Sequence, residues 1–158
     1  MTRHSAGRLR RPLTDQIEVH APALVAQITR VALQLPAPLR LRLATAAFDR
    51  AEAAFNRGDF EPICALFTSD AEYVPPPAVS DGRPIIGRAA MLQFWIDVLA
   101  RYPNSRITNL SIQQATARQF VRTAKLSHEG PAGRLSYVIR QTTELCRGRI
   151  VRQVNDEI

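Results

Sequence analysis

FNRGDFEPICALFTSDAEYVPPP, residues 55–77, holds the end of one helix, the whole of a second and the start of a strand. Gly58 suits the left-handed residue that closes a helix, and the Asp59 carboxylate can accept from the first free amides of the next. That next helix is short, residues 59–67, with Phe60, Ile63 and Leu66 or Phe67 as its apolar positions. Asp70 leads into a strand over 72–74. Pro75, Pro76 and Pro77 end it, because none can donate a ladder hydrogen bond.

Working outward, Leu41, Ala44, Phe48, Ala51 and Phe55 recur at spacings of three and four, which predicts an amphipathic helix over 38–57. Upstream of the Pro36 and Pro38 break, Leu24, Ile28, Val31 and Leu35 predict a helix over 23–34. Pro22 interrupts the pattern, and no helix is assigned before it. Downstream, Asp81-Gly82-Arg83-Pro84 reads as a turn, and Gly87 opens a third helix with Met91, Phe94, Trp95, Val98 and Tyr102 on one side. Pro103 stops it. From Arg106 the period becomes alternating, which predicts antiparallel strands over 106–114, 119–128, 135–145 and 149–157. Helices first and a meander second indicate an α+β fold, with three helices packed on one face of a curved antiparallel sheet.

The chain has 158 residues, 46% of them hydrophobic, enough for one well-filled core and too few for two ordinary domains. We therefore expect a disordered basic tail over 1–12, a helical extension over 13–37 and a single domain over 38–158. The net charge is +7, but Arg3, Arg8, Arg10 and Arg11 precede the first acidic residue, Asp15. Charge gathered in a solvated tail makes nucleic acid a poor partner for the folded part. No apolar run approaches the roughly 20 residues of a membrane helix, and no apolar segment follows the basic start, so a cytoplasmic protein without a secretory signal is expected. Cys64 and Cys146 show neither CxxC nor Cys/His spacing, which predicts buried thiols and neither a disulfide nor a metal site.

Four segments, AFNRGDF, LFTSDAEYVPP, GRAAMLQFW and CRGRIVRQVND, resemble in order and spacing the NTF2-like superfamily, in its SnoaL-like branch. That branch includes polyketide cyclases, ketosteroid isomerases and limonene epoxide hydrolases. The resemblance covers residues 39–158 and implies an α+β cone around a deep pocket for an apolar small molecule, no cofactor, and a homodimer through the outer face of the sheet. Catalytic members place an acid or base seven residues after the hairpin glycine, and here that position is Asn155, an amide that takes up no proton at neutral pH. Tyr73 matches a residue that helps hold the attacking water in the epoxide hydrolases. Their next pocket position, asparagine, is Pro75 here, and their arginine and aspartate two apart on a middle strand find Arg122 and Ala124. These departures argue against the hydrolase mechanism.

His128 and Asp70 are the candidates for moving a proton. His128 has a suitable reference pKa near 6.5, but its place at a strand end beside Glu129-Gly130 favours an exposed loop histidine. Asp70 is either a pocket carboxylate raised in pKa by burial or a residue satisfying backbone amides at the corner. Tyr73, Phe94, Trp95, Tyr137, Gln153 and Asn155 are candidates for ligand contact. For the aromatic four the alternative is ordinary core packing. Alternation places Tyr137 with Leu135, Ile139, Gln141, Thr143 and Leu145 on the concave side, and groups Val151, Gln153 and Asn155 on the last strand. A buried Gln and Asn each need partners, which a ligand oxygen, Tyr73 or a trapped water would supply. The expected function is binding of a small apolar oxygenated molecule of steroid, terpenoid or polyketide type, with cofactor-free isomerisation, cyclisation or hydration as the enzymatic form. The alternative is a non-catalytic module for ligand sensing or homodimerisation.

Overall fold

The computed structural model describes residues 11–158. Helix α3 (Ala37–Asn56) turns Leu41, Ala44, Phe48, Ala51 and Phe55 away from solvent, the stripe their spacing predicts. Gly58, at φ 71°, closes it: its N–H bonds the Phe55 carbonyl at 2.8 Å, and the Asp59 N–H bonds the Ala54 carbonyl at 3.0 Å. These two bonds form a Schellman closure, whose left-handed residue is easiest as glycine. Asp59 does not cap the next helix as expected. Helix α4 is only Glu61–Ala65 and has no side-chain cap, while Arg11 holds the Asp59 carboxylate at 2.7 and 3.0 Å. A paired guanidinium fork binds a carboxylate more strongly than one neutral amide does.

Two helices precede α3 where one was expected. Pro22 does not interrupt a helix; it occupies the first position of α2 (Pro22–Ala32), where its missing N–H would have had no partner anyway. Before it lies α1 (Leu13–His20), which apolar periodicity cannot reveal because its buried side chains are Asp15 and Glu18. Asp15 pairs with Arg57, and Glu18 with Arg50 at 3.6 Å, so α1 docks on α3 by charge while Leu13 and Ile17 stay exposed. Arg11 belongs to this docked part. The remainder of the expected tail, residues 1–10, lies outside the described residues.

The sheet has six strands in the order β2-β1-β6-β5-β4-β3. They are β1 (Phe67–Val74), β2 (Ile85–Ile86), β3 (Arg106–Thr116), β4 (Gln119–Gly130), β5 (Gly133–Cys146) and β6 (Arg149–Glu157), with helix α5 (Arg88–Arg101) between β2 and β3. The fold is α+β with a mostly antiparallel, curved sheet. One pair departs from the antiparallel expectation: β6 returns parallel to β1, with Tyr73 beside Gln153 and Val74 beside Val154. Strand β1 also begins well before residue 72, because Phe67 already pairs with Ile150. Where Glu144 faces Arg152 and Leu145 faces Ile150, β6 carries one extra residue, Val151. That bulge reverses the alternation, so Ile150, not Val151, shares the inner face with Gln153 and Asn155.

The core sits between the sheet and α3, α4 and α5. Its aromatic centre joins Phe55, Phe60 and Trp95: Phe60 and Trp95 stack at 5.3 Å, and Phe55 meets both edge-on at 5.1 Å. Such contacts fix the angle between α3, α4 and α5 because edge-to-face and stacked rings have defined geometries. Cys64 is buried there, its thiol pushed up to about 12 by burial, whereas Cys146 is exposed, contrary to expectation. Among the described residues, no helix is long and apolar enough to cross a membrane.

Candidate functional site

A cavity of about 280 Å³ lies between the concave face of the sheet and the helices α2 and α3. Its walls are mostly apolar, with Val25 and Ile28 on α2, Ala44 and Phe48 on α3, and Leu126 and Ile139 on the sheet. The hairpin between β5 and β6 touches α2 where Gly148, at φ 80°, passes the Ala26 carbonyl. A Cβ there would lie 2.0 Å from that oxygen. Helix α2 has no fully buried residue of its own, so this contact and α1 locate it over the cavity.

Polar groups are concentrated on the floor, in cross-strand register. Arg122 lies opposite Gln141, and Gln141 opposite Asn155. The Val74 carbonyl can only accept, so the Asn155 Nδ2 donates to it at 2.7 Å and Asn155 Oδ1 is left as an acceptor. Gln141 Nε2 then donates to Asn155 Oδ1, also at 2.7 Å, which turns Gln141 Oε1 outward along the row. From the other side, Asn109 Nδ2 donates to Asp49 at 3.1 Å, and Asn109 Oδ1 accepts from Arg122 Nη1 at 3.0 Å. The Arg122 guanidinium also lies 5.0 Å from the Phe48 ring centre, a cation–π position. Burial lowers Arg122 to about 10, so it remains charged at neutral pH. No described residue meets Arg122 Nε or Gln141 Oε1.

A second row stands beside the first, with Gln153 Nε2 donating to Thr143 Oγ1 at 3.0 Å. Tyr73 and Trp95 complete the lining near these amides. Burial pushes the Tyr73 phenol well above its ordinary value, so it stays protonated. Among the described residues the cavity lining contains no histidine, and its sole carboxylate is Glu18 of α1, raised by burial against the attraction of Arg50.

The structure brings Tyr73, Trp95, Gln153 and Asn155 to one cavity and leaves the other four sequence candidates outside it. Asp70 is exposed on β1 and is no buried carboxylate. Phe94 packs on Tyr73 and Trp95 from behind the lining. His128 is not an exposed strand end, because β4 continues to Gly130 and leaves the ring fully buried. Ser105 Oγ donates to the Tyr102 carbonyl at 2.7 Å, so it accepts from His128 Nδ1 at 2.7 Å, and Nε2 accepts from the Tyr137 hydroxyl at 2.8 Å. Every proton in this chain has an assigned acceptor. With no carboxylate partner, burial and the Arg101 charge lower His128 to about 4. Tyr137 is thereby tied into a core network rather than the cavity.

Arg122, Gln141 and Glu18 were missed as site residues. The signal for Arg122 was present: it interrupts the buried alternation Phe120, Ala124, Leu126 with a charge. Gln141 and Thr143 were already on the predicted concave side. Glu18 had no apolar pattern to announce it.

A family model for the SnoaL-like domain matches residues 48–153. The chain belongs to the SnoaL-like domain family. Several solved structures share the fold. An NTF2-like protein of unknown function from Burkholderia pseudomallei is 14% identical with a TM-score of 0.60, over 72% of this chain and 88% of its own. The Δ5-3-ketosteroid isomerase from Mycobacterium sp. is 19% identical with a TM-score of 0.59, over 72% and 90%. IdmH from Streptomyces antibioticus, described as a candidate polyketide cyclase, is 20% identical with a TM-score of 0.58, over 72% and 90%. At these identities the likeness is one of fold. No curated protein matches the sequence significantly.

Proposed function

We propose that this SnoaL-like protein binds a small, largely apolar, oxygenated molecule of steroid, terpenoid or polyketide type in the cavity beneath α2. The observation that carries this reading is a mostly apolar-walled space of about 280 Å³ with a row of polar side chains, Arg122, Gln141, Gln153 and Asn155, on its floor and Glu18, Arg40 and Arg50 on the helix side. Binding sites for small molecules have that composition, apolar walls for affinity and a few placed polar groups for orientation. The fold relatives named for a ketosteroid isomerase and a candidate polyketide cyclase are in keeping with such a ligand. Tyr73, Gln153 and Asn155 line the polar side of the cavity that faces the ligand's oxygenated end, and Trp95 packs against its apolar body.

Binding without proton transfer is favoured over an isomerase, cyclase or hydratase. The floor offers a neutral phenol, neutral amides and a permanent cation, and none of these exchanges a proton readily near pH 7. Asp70 and His128 lie outside the lining, so a catalytic version would draw on Glu18, whose raised pKa suits that role better than an ordinary carboxylate. A homodimer through the outer face of the sheet, in a cytoplasmic protein, accompanies this reading, and sedimentation measures it.

Melting the protein with a panel of steroids, terpenoids and polyketides tests the proposal. A ligand at 100 times its dissociation constant adds about 2.7 kcal/mol, or roughly 5–10 °C for a chain of this size. No shift with any member of the panel at millimolar concentration would overturn it.

A further inference from the structure

We propose that the cavity selects a ligand carrying a free hydroxyl group, received between Arg122 and Gln141; this rests on the binding role proposed above. Two hydrogen-bond chains approach this point from opposite sides of the sheet. The first starts at the Val74 carbonyl, passes through Asn155 and ends on Gln141 Oε1, an acceptor. The second starts at Asp49, passes through Asn109 and ends on Arg122, whose Nε is a donor. Each chain is anchored on a group that can only accept, so neither amide can be reversed without setting acceptor against acceptor.

The two ends belong to directly paired residues on β4 and β5, whose side chains leave the sheet about 4.5–5.5 Å apart at Cβ. Arg122 and Gln141 are 6% and 5% exposed, line the cavity, and keep these two atoms without a described partner. A donor beside an acceptor calls for one group that does both. A hydroxyl oxygen accepts from Arg122 Nε while its proton goes to Gln141 Oε1. A ketone or ether meets only the arginine and leaves the glutamine oxygen dry, and a carboxylate or phenolate oxygen faces that oxygen with charge. The site therefore distinguishes an alcohol or phenol from the corresponding ether, ketone or anion.

The test uses the whole chain with 2-naphthol, 2-methoxynaphthalene and naphthalene as probes, followed by calorimetry. The expected result is that 2-naphthol binds at least about tenfold more tightly than its methyl ether, the scale of one satisfied buried acceptor. Its affinity falls as pH rises through the naphthol's own pKa. Gln141→Leu and Arg122→Met each bring the two affinities together. Equal affinity of the naphthol and its ether for the unaltered protein overturns the hydroxyl assignment and leaves the cavity's binding role standing. Affinity that rises through the naphthol pKa overturns it too, since the anion is then the bound form. Binding of none of the three at millimolar concentration overturns the binding role and this inference with it. The comparison between probes is made on the unaltered protein, so it holds even where a variant fails to fold.

Discussion

Asn155 on β6 donates its side-chain amide to the backbone carbonyl of Val74 on β1, at 2.7 Å, across the one parallel pair of the sheet. This bond sets the orientation of Gln141 and hence the polarity of the whole floor. An amide, not an acid, makes this bond at the position to which the family resemblance assigns an acid or base. Asn155→Asp sets a charged acceptor against the Val74 carbonyl, while Gln141 Nε2 still donates to its other oxygen. We expect a loss of about 1–3 kcal/mol at pH 7 by urea unfolding. Protonation restores a donor, so the deficit shrinks as the pH falls below the raised pKa of the new acid.

His128 gives the native protein its own pH dependence. Its folded pKa of about 4 lies below the ordinary 6.5, so the unfolded chain takes up the proton first. Stability from this residue is full above pH 6.5, declines as the pH falls toward 4 and is flat below, amounting to at most about 3 kcal/mol. In His128→Phe the histidine's share of the slope across that window disappears. Denaturant midpoints measured at half-unit intervals of pH check it.

Gly148 holds α2 in place by having no side chain. Gly148→Ala sets a methyl against the Ala26 carbonyl and forces alanine to a φ of 80°. The expected cost is roughly 1–3 kcal/mol. Because α2 must give way, its amides should also lose hydrogen-exchange protection ahead of those in β4 and β5.

Much of this architecture could be read from residues alone, and the failures share a cause. Apolar spacing located α3, α5 and the strands, since burying apolar surface is what forms them. It missed α1, whose inward face is Asp15 and Glu18, because ion pairs leave no hydrophobic period. It placed Val151 inward because a bulge has no mark in the side-chain pattern. It treated His128 as a loop residue because Glu129-Gly130 looks like a turn, whereas the turn is one step later, at Pro131-Ala132. At the site, the amides of β6 were legible as buried polar groups needing partners. Arg122 was marked only as a charge within a buried alternation; its partners Asn109 and Phe48, 13 and 74 positions away along the chain, were not legible.

The ion pair between Asp15 and Arg57 fastens α1, and through it one wall of the cavity. The Asp15 side chain is 4% exposed and that of Arg57 30%, so removing the acid leaves a partly solvated cation rather than a fully buried one. For Asp15→Ala we expect a loss of roughly 1–3 kcal/mol together with weaker binding of any cavity ligand. A charge-neutral surface change such as Gln93→Ala should affect neither. Melting curves with and without 2-naphthol separate the two effects.

Trp95 is the only tryptophan and lines the cavity, so its emission reports on that neighbourhood. A ligand entering beneath α2 should shift or quench it with the same saturation curve that calorimetry gives.

The central claim is that the row of amides under α2 forms the floor of a ligand site. The most direct measurement is a titration of the isotopically labelled protein with 2-naphthol, following the side-chain amide resonances of Gln141, Gln153 and Asn155 by NMR. The account predicts that these resonances move together and saturate while those of Asn104 and Gln93, on the outside, stay still. Saturating shifts confined to the surroundings of Asp70 or to the outer face of the sheet, with the three floor amides unmoved, would contradict it.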